Sequence, residues 1–429
     1  MIRAVYQYYE IFPQVVRAGF PARITIHPRY DPSLFNTEQS FHLTLQPIAG
    51  TASQATNYLL KPDKGSLQFD ASFPTEGEYS LILNPNHGER SRSFAEFKLY
   101  ALEQDLFERR PFKGDLHMHS NHSDGRESPP HVAAACRRIG LDFMAITDHA
   151  KYEPSIEAIR AFEGLPVDLK IFPGEEVHSP DHPVHIVNFG GRYSVNELFN
   201  SESYHSEVRF LASQLPPLKA GIERLTAASC LWTFEKIRQA GGLGIFCHPY
   251  WISLHRYDTP ALLTEYLLER QPFDALELIG GYFPFESDSN HLQVIRYHEA
   301  RAAGKKIPIV GVSDAHGCER SELFGWYYTL VFSPSQKFED LVQAIKSGYS
   351  VAIEAMPAQP ARSHGPLRLV QYAQFLLREV LPQHDELCFE EGRQMLAYLS
   401  GDPDAVQQLT AFQGRTHNAM ESVFGKRKI

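Results

Sequence analysis

Residues Asp115–Gly125 read D-L-H-M-H-S-N-H-S-D-G. The run leading into it, Lys113–Met118, alternates polar and apolar side chains as a short strand does on reaching the edge of a sheet. Alternate side chains of a strand share a face, so His117 and His119 point the same way. Two imidazoles at that spacing can clasp a metal ion, and Asp124 follows on a Ser/Asp/Gly turn able to fold back toward them. The same pair would also suit a half-exposed strand face. The decision therefore rests on what the rest of the chain brings to this place.

From Pro111 onward, short apolar runs alternate with amphipathic helical stretches, the grammar of βαβ units. Strands are expected at Lys113–Met118, Asp142–Thr147, Leu169–Val177, Val184–Phe189, Leu243–Cys247, Ala275–Ile279 and Ile307–Val312. Helices are expected at Pro129–Ile139, Ser155–Phe162, Thr233–Ala240, His291–Ala303 and Phe338–Lys346. Strands alternating with helices in this way suggest a parallel α/β barrel, and the spacing alone also fits an open sheet. In a parallel barrel the C-terminal strand ends open onto one face. Those ends carry Thr147-Asp148-His149, Gly174-Glu175-Glu176, Cys247-His248-Pro249 and Ser313-Asp314-Ala315-His316, while His185 lies in H-I-V-N-F-G. So many carboxylates and imidazoles on one rim would repel one another and lose hydration unless cations sat among them.

The ordered set D-L-H-x-H-S-x-x-S-D-G, T-D-H, G-x-E, C-H-P and S-D-x-H resembles the polymerase-and-histidinol-phosphatase (PHP) superfamily of metal-dependent phosphoesterases, over roughly residues 111–355. The resemblance implies a distorted seven-stranded barrel holding two or three divalent ions. Carried onto this chain, it implies His117, His119, Glu176 and Asp314 around a first ion. Glu176 would bridge to a second, held also by His185 and His248, and Asp124, His149 and His316 would hold a third. Glu175 adjoins Glu176, and only the family pattern G-x-E selects the latter. His178 shares the strand face of Glu176 and competes with His185, which the family spacing favours. Arg126 stands where small family members commonly have threonine, so their substrate preferences do not transfer.

Mixed imidazole and carboxylate ligands suit Zn, Mn or Fe. Ions so held can sharpen a shared water for in-line attack on a phosphate ester, with Glu176 and Asp314 as the central carboxylates and no covalent enzyme intermediate. Arg126, Lys151 and Arg320 follow ligand motifs closely enough to meet a phosphate. Tyr250 and Trp251 are candidates for the leaving group, and His122 for a proton donor. Each of these would equally suit a solvated loop. Three other readings stand beside a small-molecule phosphoesterase: a nuclease or phosphodiesterase acting on nucleic-acid ends, an amidohydrolase-type C–N hydrolase, and a non-enzymatic binding protein. None of the family's ligand positions is replaced, which disfavours the last.

Residues 1–110 show alternating segments at Ala22–His27, Phe41–Leu45, Leu67–Phe73, Tyr79–Leu83 and Phe97–Ala101, separated by turn formers, the pattern of an immunoglobulin-like β-sandwich. The Gly77-Glu78-Tyr79 lead-in resembles a tyrosine corner. The hydrolase barrel is placed at 111–357, with an insertion at 193–230 over its mouth. A helical extension is placed at 358–429, to pack on the barrel or on a sister subunit in a homo-oligomer. With 429 residues, 43% hydrophobic and 21% charged, the chain is long enough for two or three folded units. A net charge of −10 argues against a broad nucleic-acid footprint. No stretch approaches a membrane span, the N-terminus lacks secretory-signal features, and five scattered cysteines without C-x-x-C spacing point to reduced thiols and a cytoplasmic address.

Overall fold

The computed structural model describes residues 4–35, 38–85 and 95–426. The chain divides into two compact units, Met1–Arg110 with Leu367–Leu387 and Gly414–Ile429, and Pro111–Pro366 with Cys388–Gln413. In the first unit a three-stranded antiparallel sheet, ordered Tyr9–Phe12, Pro21–Pro28, Leu67–Ser72, shares one core with a five-stranded sheet. The five strands run in the order Val15–Arg17, Ala95–Leu102, Gly77–Pro85, Phe41–Pro47, Thr56–Leu60. Ile24 and Ile26 from one sheet meet Leu43, Leu81 and Phe97 from the other in that core. Alternation in Leu67–Ser72 is strict, every second residue being buried. Tyr79 Oη donates to the Thr75 carbonyl at 2.9 Å, tying the turn before its strand to the strand itself. Three strands were not expected. Tyr9–Phe12 and Val15–Arg17 are very short, and Thr56–Leu60 is an edge strand that turns only Tyr58 and Leu60, both partly buried, toward the core.

The second unit carries the strands β1 (Arg110–Asp115), β2 (Phe143–Ala145), β3 (Lys170–Phe172), β4 (Gly174–Val177), β5 (Ile186–Phe189), β6 (Leu243–Phe246), β7 (Ala275–Gly280), β8 (Ile309–Val312), β9 (Tyr327–Ser333), β10 (Ser350–Glu354) and β11 (Arg362–His364). They form a six-stranded sheet, β3-β2-β1-β9-β10-β11, and a five-stranded sheet, β4-β5-β6-β7-β8. The single strand expected at Leu169–Val177 is thus two. Pro173, which has no N–H for a ladder, marks where the chain leaves β2 as its partner and takes up β5.

The all-parallel expectation is corrected at β5, which runs antiparallel to both β4 and β6. Only residues 178–185 join β4 to β5, too few for a parallel crossover. Past the regular strands, the two sheets continue into one another. Asp314 N donates to His117 O (2.9 Å), His119 N to Ala315 O (2.9 Å), Thr147 N to Met118 O (2.8 Å), and Ala150 N to Glu176 O (2.9 Å). The segments carrying the candidate ligands are stitched side by side in this way.

Apolar faces of the flanking helices fill the remaining space. Tyr204, Val208, Trp232 and Phe234, from helices Tyr204–Gln214 and Arg224–Gln239, pack with Phe246, Leu276 and Leu278. Arg137, fully buried in helix Pro129–Arg138, binds Glu391 of helix Leu381–Leu399 through Nε (2.7 Å) and Nη2 (2.6 Å), and Asp142 through Nη1 (3.1 Å). Among the described residues no helix is long and apolar enough to cross a membrane.

Candidate metal centre

Regular pairing of β1 ends at Asp115, three residues earlier than expected, because the His117 amide turns to the Asp115 carboxylate at 3.3 Å. His117 and His119 still share a face, and their Nε2 atoms are 3.3 Å apart. Glu176, on β4, lies at the middle of the cluster. Its Oε2 is 2.5 Å from His149 Nδ1, 3.5 Å from His117 Nε2 and 3.6 Å from His119 Nε2. Its Oε1 is 2.8 Å from His185 Nδ1 and 3.9 Å from His248 Nε2. Asp314 Oδ1 closes one side, 2.9 Å from His119 Nε2 and 3.3 Å from His117 Nε2. Asp124 closes the other, 3.3 Å from His316 Nε2 and 3.4 Å from His149 Nε2.

His185 precedes β5 instead of ending it. Because β5 is reversed, its start lies beside the ends of its neighbours, and His185 Nδ1 comes within 2.9 Å of His248 Nε2. His178 also joins the group, 2.8 Å from His149 Nδ1 and 3.6 Å from Glu176. Glu175 points elsewhere. Its carboxylate accepts Asn188 Nδ2 (3.0 Å), Ser194 Oγ (2.6 Å), Val195 N (2.5 Å) and Asn196 Nδ2 (2.8 Å), which pins the 194–196 segment. The period-two rule explains the split: adjacent strand residues face opposite sides.

The ligand loops hold an uncommon backbone. Ala150 (φ 54°), His248 (φ 23°) and Asp314 (φ 50°) are non-glycine residues with positive φ, one in each of the T-D-H-A, C-H-P and S-D-A-H motifs. Two glycines give room for close approach. A Cβ on Gly125 would meet the His119 carbonyl carbon at 2.7 Å, and one on Gly281 would meet Asp314 Oδ2 at 3.1 Å. Asp148 shapes the loop before Asp124 by accepting Ser120 N (2.9 Å), Ser120 Oγ (2.6 Å), Ser123 N (3.2 Å) and Ser123 Oγ.

Burial alone would raise the Glu176 carboxyl, but His185 and His117 hold it well below the ordinary carboxylate range. Asp314 is likewise lowered: burial pushes it up and the His117 and His119 rings outweigh that. The carboxylates are therefore ionised. Both Glu176 oxygens are nevertheless buried without an aligned hydrogen-bond donor, and so are Glu277 Oε1 and His248 Nδ1. Ionised buried oxygens left without donors, ringed by imidazoles, are what a cation site requires. Donor atoms of His119, Asp124, His149 and His316 lie within 4.8 Å of one another, as do those of His117, His119 and Glu176. The donor set fits Zn, Mn or Fe.

The rim residues are less convergent. Arg126 Nη2 pairs with Glu322 at 2.7 Å, His122 Nε2 with Glu157 at 2.9 Å, and Lys151 Nζ binds the His122 carbonyl. Tyr250 packs edge-on to Tyr257, while the Trp251 ring lies 5.6 Å from His185. The Arg320 side chain lies outside the described residues. Sequence reading missed Glu277 and Asp258, whose carboxylates lie 3.3 Å from His117 Nδ1 and 3.9 Å from His185 Nε2. For Glu277 a signal was present: a carboxylate in the otherwise apolar run A-L-E-L-I-G.

A family model described as PHP domain matches residues 115–228. This stretch is similar to PHP domains. The PHP domain match takes in His117, His119, Asp124, His149, Glu176 and His185, while His248, Asp314 and His316 lie beyond it and join the cluster through the fold. Over 85 residues the chain is 42% identical to the DNA polymerase/3'-5' exonuclease PolX of Bacillus subtilis (strain 168), a stretch amounting to 19% of this chain and 15% of that protein. Among solved structures, it is similar to a two-domain protein of Bacteroides vulgatus ATCC 8482 containing a predicted PHP-like metal-dependent phosphoesterase. The identity is 17% and the TM-score 0.36, over 57% of this chain and 65% of the other. An amidohydrolase from Chromobacterium violaceum is 21% identical with a TM-score of 0.28, over 48% of this chain and 87% of the other.

Proposed function

We propose that this protein is a metal-dependent phosphoesterase that hydrolyses a phosphate ester of a small molecule. The observation carrying this reading is the Glu176 carboxylate, buried among imidazole nitrogens with no aligned hydrogen-bond donor. His117, His119, Glu176 and Asp314 would hold one ion, Glu176, His185 and His248 a second, and Asp124, His149 and His316 a third. Divalent cations in such a site acidify water and offset the charge of phosphate oxygens. The ladder contacts from His117, Met118 and Glu176 to neighbouring strand ends support a distorted seven-stranded ring of PHP type formed by β1, β2 and β4–β8.

The protein's own residues supply orientation and proton handling. Asp148 and Glu175 fix the loops on either side of the cluster. Arg126 and Lys151 sit on the rim in contacts that a phosphate can replace, and Tyr250 is a further group for the substrate. His122, half-exposed and 2.9 Å from Glu157, is the proton donor to the leaving oxygen in this reading. That none of the five cysteines forms a disulfide supports a reducing compartment, the cytoplasm.

A second reading is favoured by the 85-residue stretch shared with the Bacillus subtilis exonuclease: cleavage at nucleic-acid ends. The net charge of −10 weighs against it. The full chain supplied with manganese, zinc or iron is assayed on a panel of phosphate mono- and diesters and on a labelled single-stranded oligonucleotide. Turnover of small esters with an intact oligonucleotide supports the first reading, shortening of the oligonucleotide supports the second, and neither activity contradicts both.

A further inference from the structure

Glu277 sits in the middle of β7, where every residue is buried. A carboxylate in such a place is costly to bury unless it is partnered. Its two partners are both histidines of the cluster. Oε2 is 3.3 Å from His117 Nδ1, and Oε1 is 3.4 Å from His248 Nδ1. Oε1 and His248 Nδ1 are buried and have no other hydrogen-bond partner. The opposite nitrogen of each ring turns into the cluster. His117 Nε2 faces Asp314 and Glu176, and His248 Nε2 faces His185 and Glu176.

A neutral imidazole has one N–H and one lone pair, and the partner of one nitrogen decides the state of the other. A carboxylate on the Nδ1 side keeps the proton there and leaves Nε2 as the electron-pair donor. We propose that Glu277 is a positioning residue that holds His117 and His248 together as Nδ1–H tautomers, so that one side chain sets the ligand nitrogens of two adjacent ion sites. This rests on the metal-centre reading above. It also implies that losing Glu277 weakens those two sites and spares the one built from Asp124, His149 and His316.

The test uses the full chain, wild type and Glu277→Gln, titrated with zinc in competition with a chelator. Bound zinc is counted by elemental analysis, and the imidazole nitrogens are read by long-range ¹H–¹⁵N NMR of the zinc-loaded protein. The expected result is Nδ1–H with zinc-bound Nε2 at His117 and His248 in the wild type. In Glu277→Gln, affinity falls roughly 10–100-fold for two of the ions with the number bound at saturation unchanged. Unchanged affinity in Glu277→Gln, or zinc on Nδ1 of either histidine, overturns the proposal. Fewer ions at saturation also overturns it, because Glu277 would then be a ligand. The wild-type spectrum decides the matter even where the variant does not fold. A wild type that binds no zinc, manganese or iron defeats the metal-centre reading itself, a separate result from wild-type binding that the substitution leaves untouched.

Discussion

Glu175 and Glu176 are adjacent, both buried and both acidic, yet their surroundings assign them opposite tasks. Glu175 is saturated by donors from residues 188–196, so Glu175→Ala leaves several buried donors unpaired. A loss of about 3 kcal/mol in the stability of the metal-free protein is expected, read by denaturant unfolding in the presence of chelator. Glu176 has no aligned donor to abandon, only imidazole nitrogens beside it. Glu176→Ala therefore leaves metal-free stability within about 1 kcal/mol of wild type while abolishing most metal binding. Matching losses of metal-free stability in the two variants would contradict this division. The pair also shows how far a sequence reads at this scale. Alternation says that the two side chains face opposite ways, but which way each faces depends on strand pairing that no local pattern contains. His117, His119 and Asp124 were legible from a single motif. Glu277 stood out only as a carboxylate in an apolar run, and its partners could not be read because they come from segments far away in sequence.

Two elements carry strain or charge that single substitutions can expose. Arg137 is a buried cation tying helix Pro129–Arg138 to Glu391 and Asp142. Arg137→Ala takes the cation from two buried carboxylates, which keep the backbone donors of Lys113 and Asp168, and is expected to cost roughly 3–5 kcal/mol of unfolding free energy, whereas Arg137→Met combined with Glu391→Leu recovers much of it. An Arg137→Ala protein as stable as wild type would contradict the ion pair. On helix Tyr204–Gln214, Glu207 accepts Lys236 Nζ at 2.9 Å and Trp232 Nε1 at 2.8 Å, and these bonds hold its carboxyl down at about 2. An unfolded glutamate titrates near ~4.3. Its stabilising contribution is therefore full above that pH and disappears as pH falls toward 2. The pair is partly exposed, so the contribution is under about 1 kcal/mol. The melting-temperature gap between wild type and Glu207→Gln should be measurable at pH 6 and shrink by pH 3; a gap that stays constant would contradict the assignment.

Element types from Pro111 to Lys346 were largely legible because apolar period and turn residues agree there, as in helix Phe338–Lys346. Strand direction was not. The reversal of β5 follows from the short link after β4, and β9 and β10 were missed because nothing in their apolar runs marks them as the continuation of a sheet begun some 200 residues earlier. Such long-range pairing is settled by packing and not by local propensity.

At the scale of the molecule, the cluster is built from strand ends and loops drawn from His117 to His316, so cation binding should stabilise the folded state over the unfolded one. A free metal concentration 100-fold above Kd would add about 2.7 kcal/mol per independent site. Stripping the protein with a chelator should lower its melting temperature, and restoring manganese or zinc should raise it again.

The most direct measurement is elemental analysis of gently purified protein and of Glu176→Ala after dialysis against manganese, zinc and iron, paired with release of inorganic phosphate from a panel of phosphate esters. The account predicts two or three divalent ions per wild-type chain, phosphate release that a chelator abolishes, and in Glu176→Ala loss of most of the metal and of the phosphate release. Wild-type protein that holds no transition ion, or that releases phosphate equally well with Glu176 removed, would contradict it.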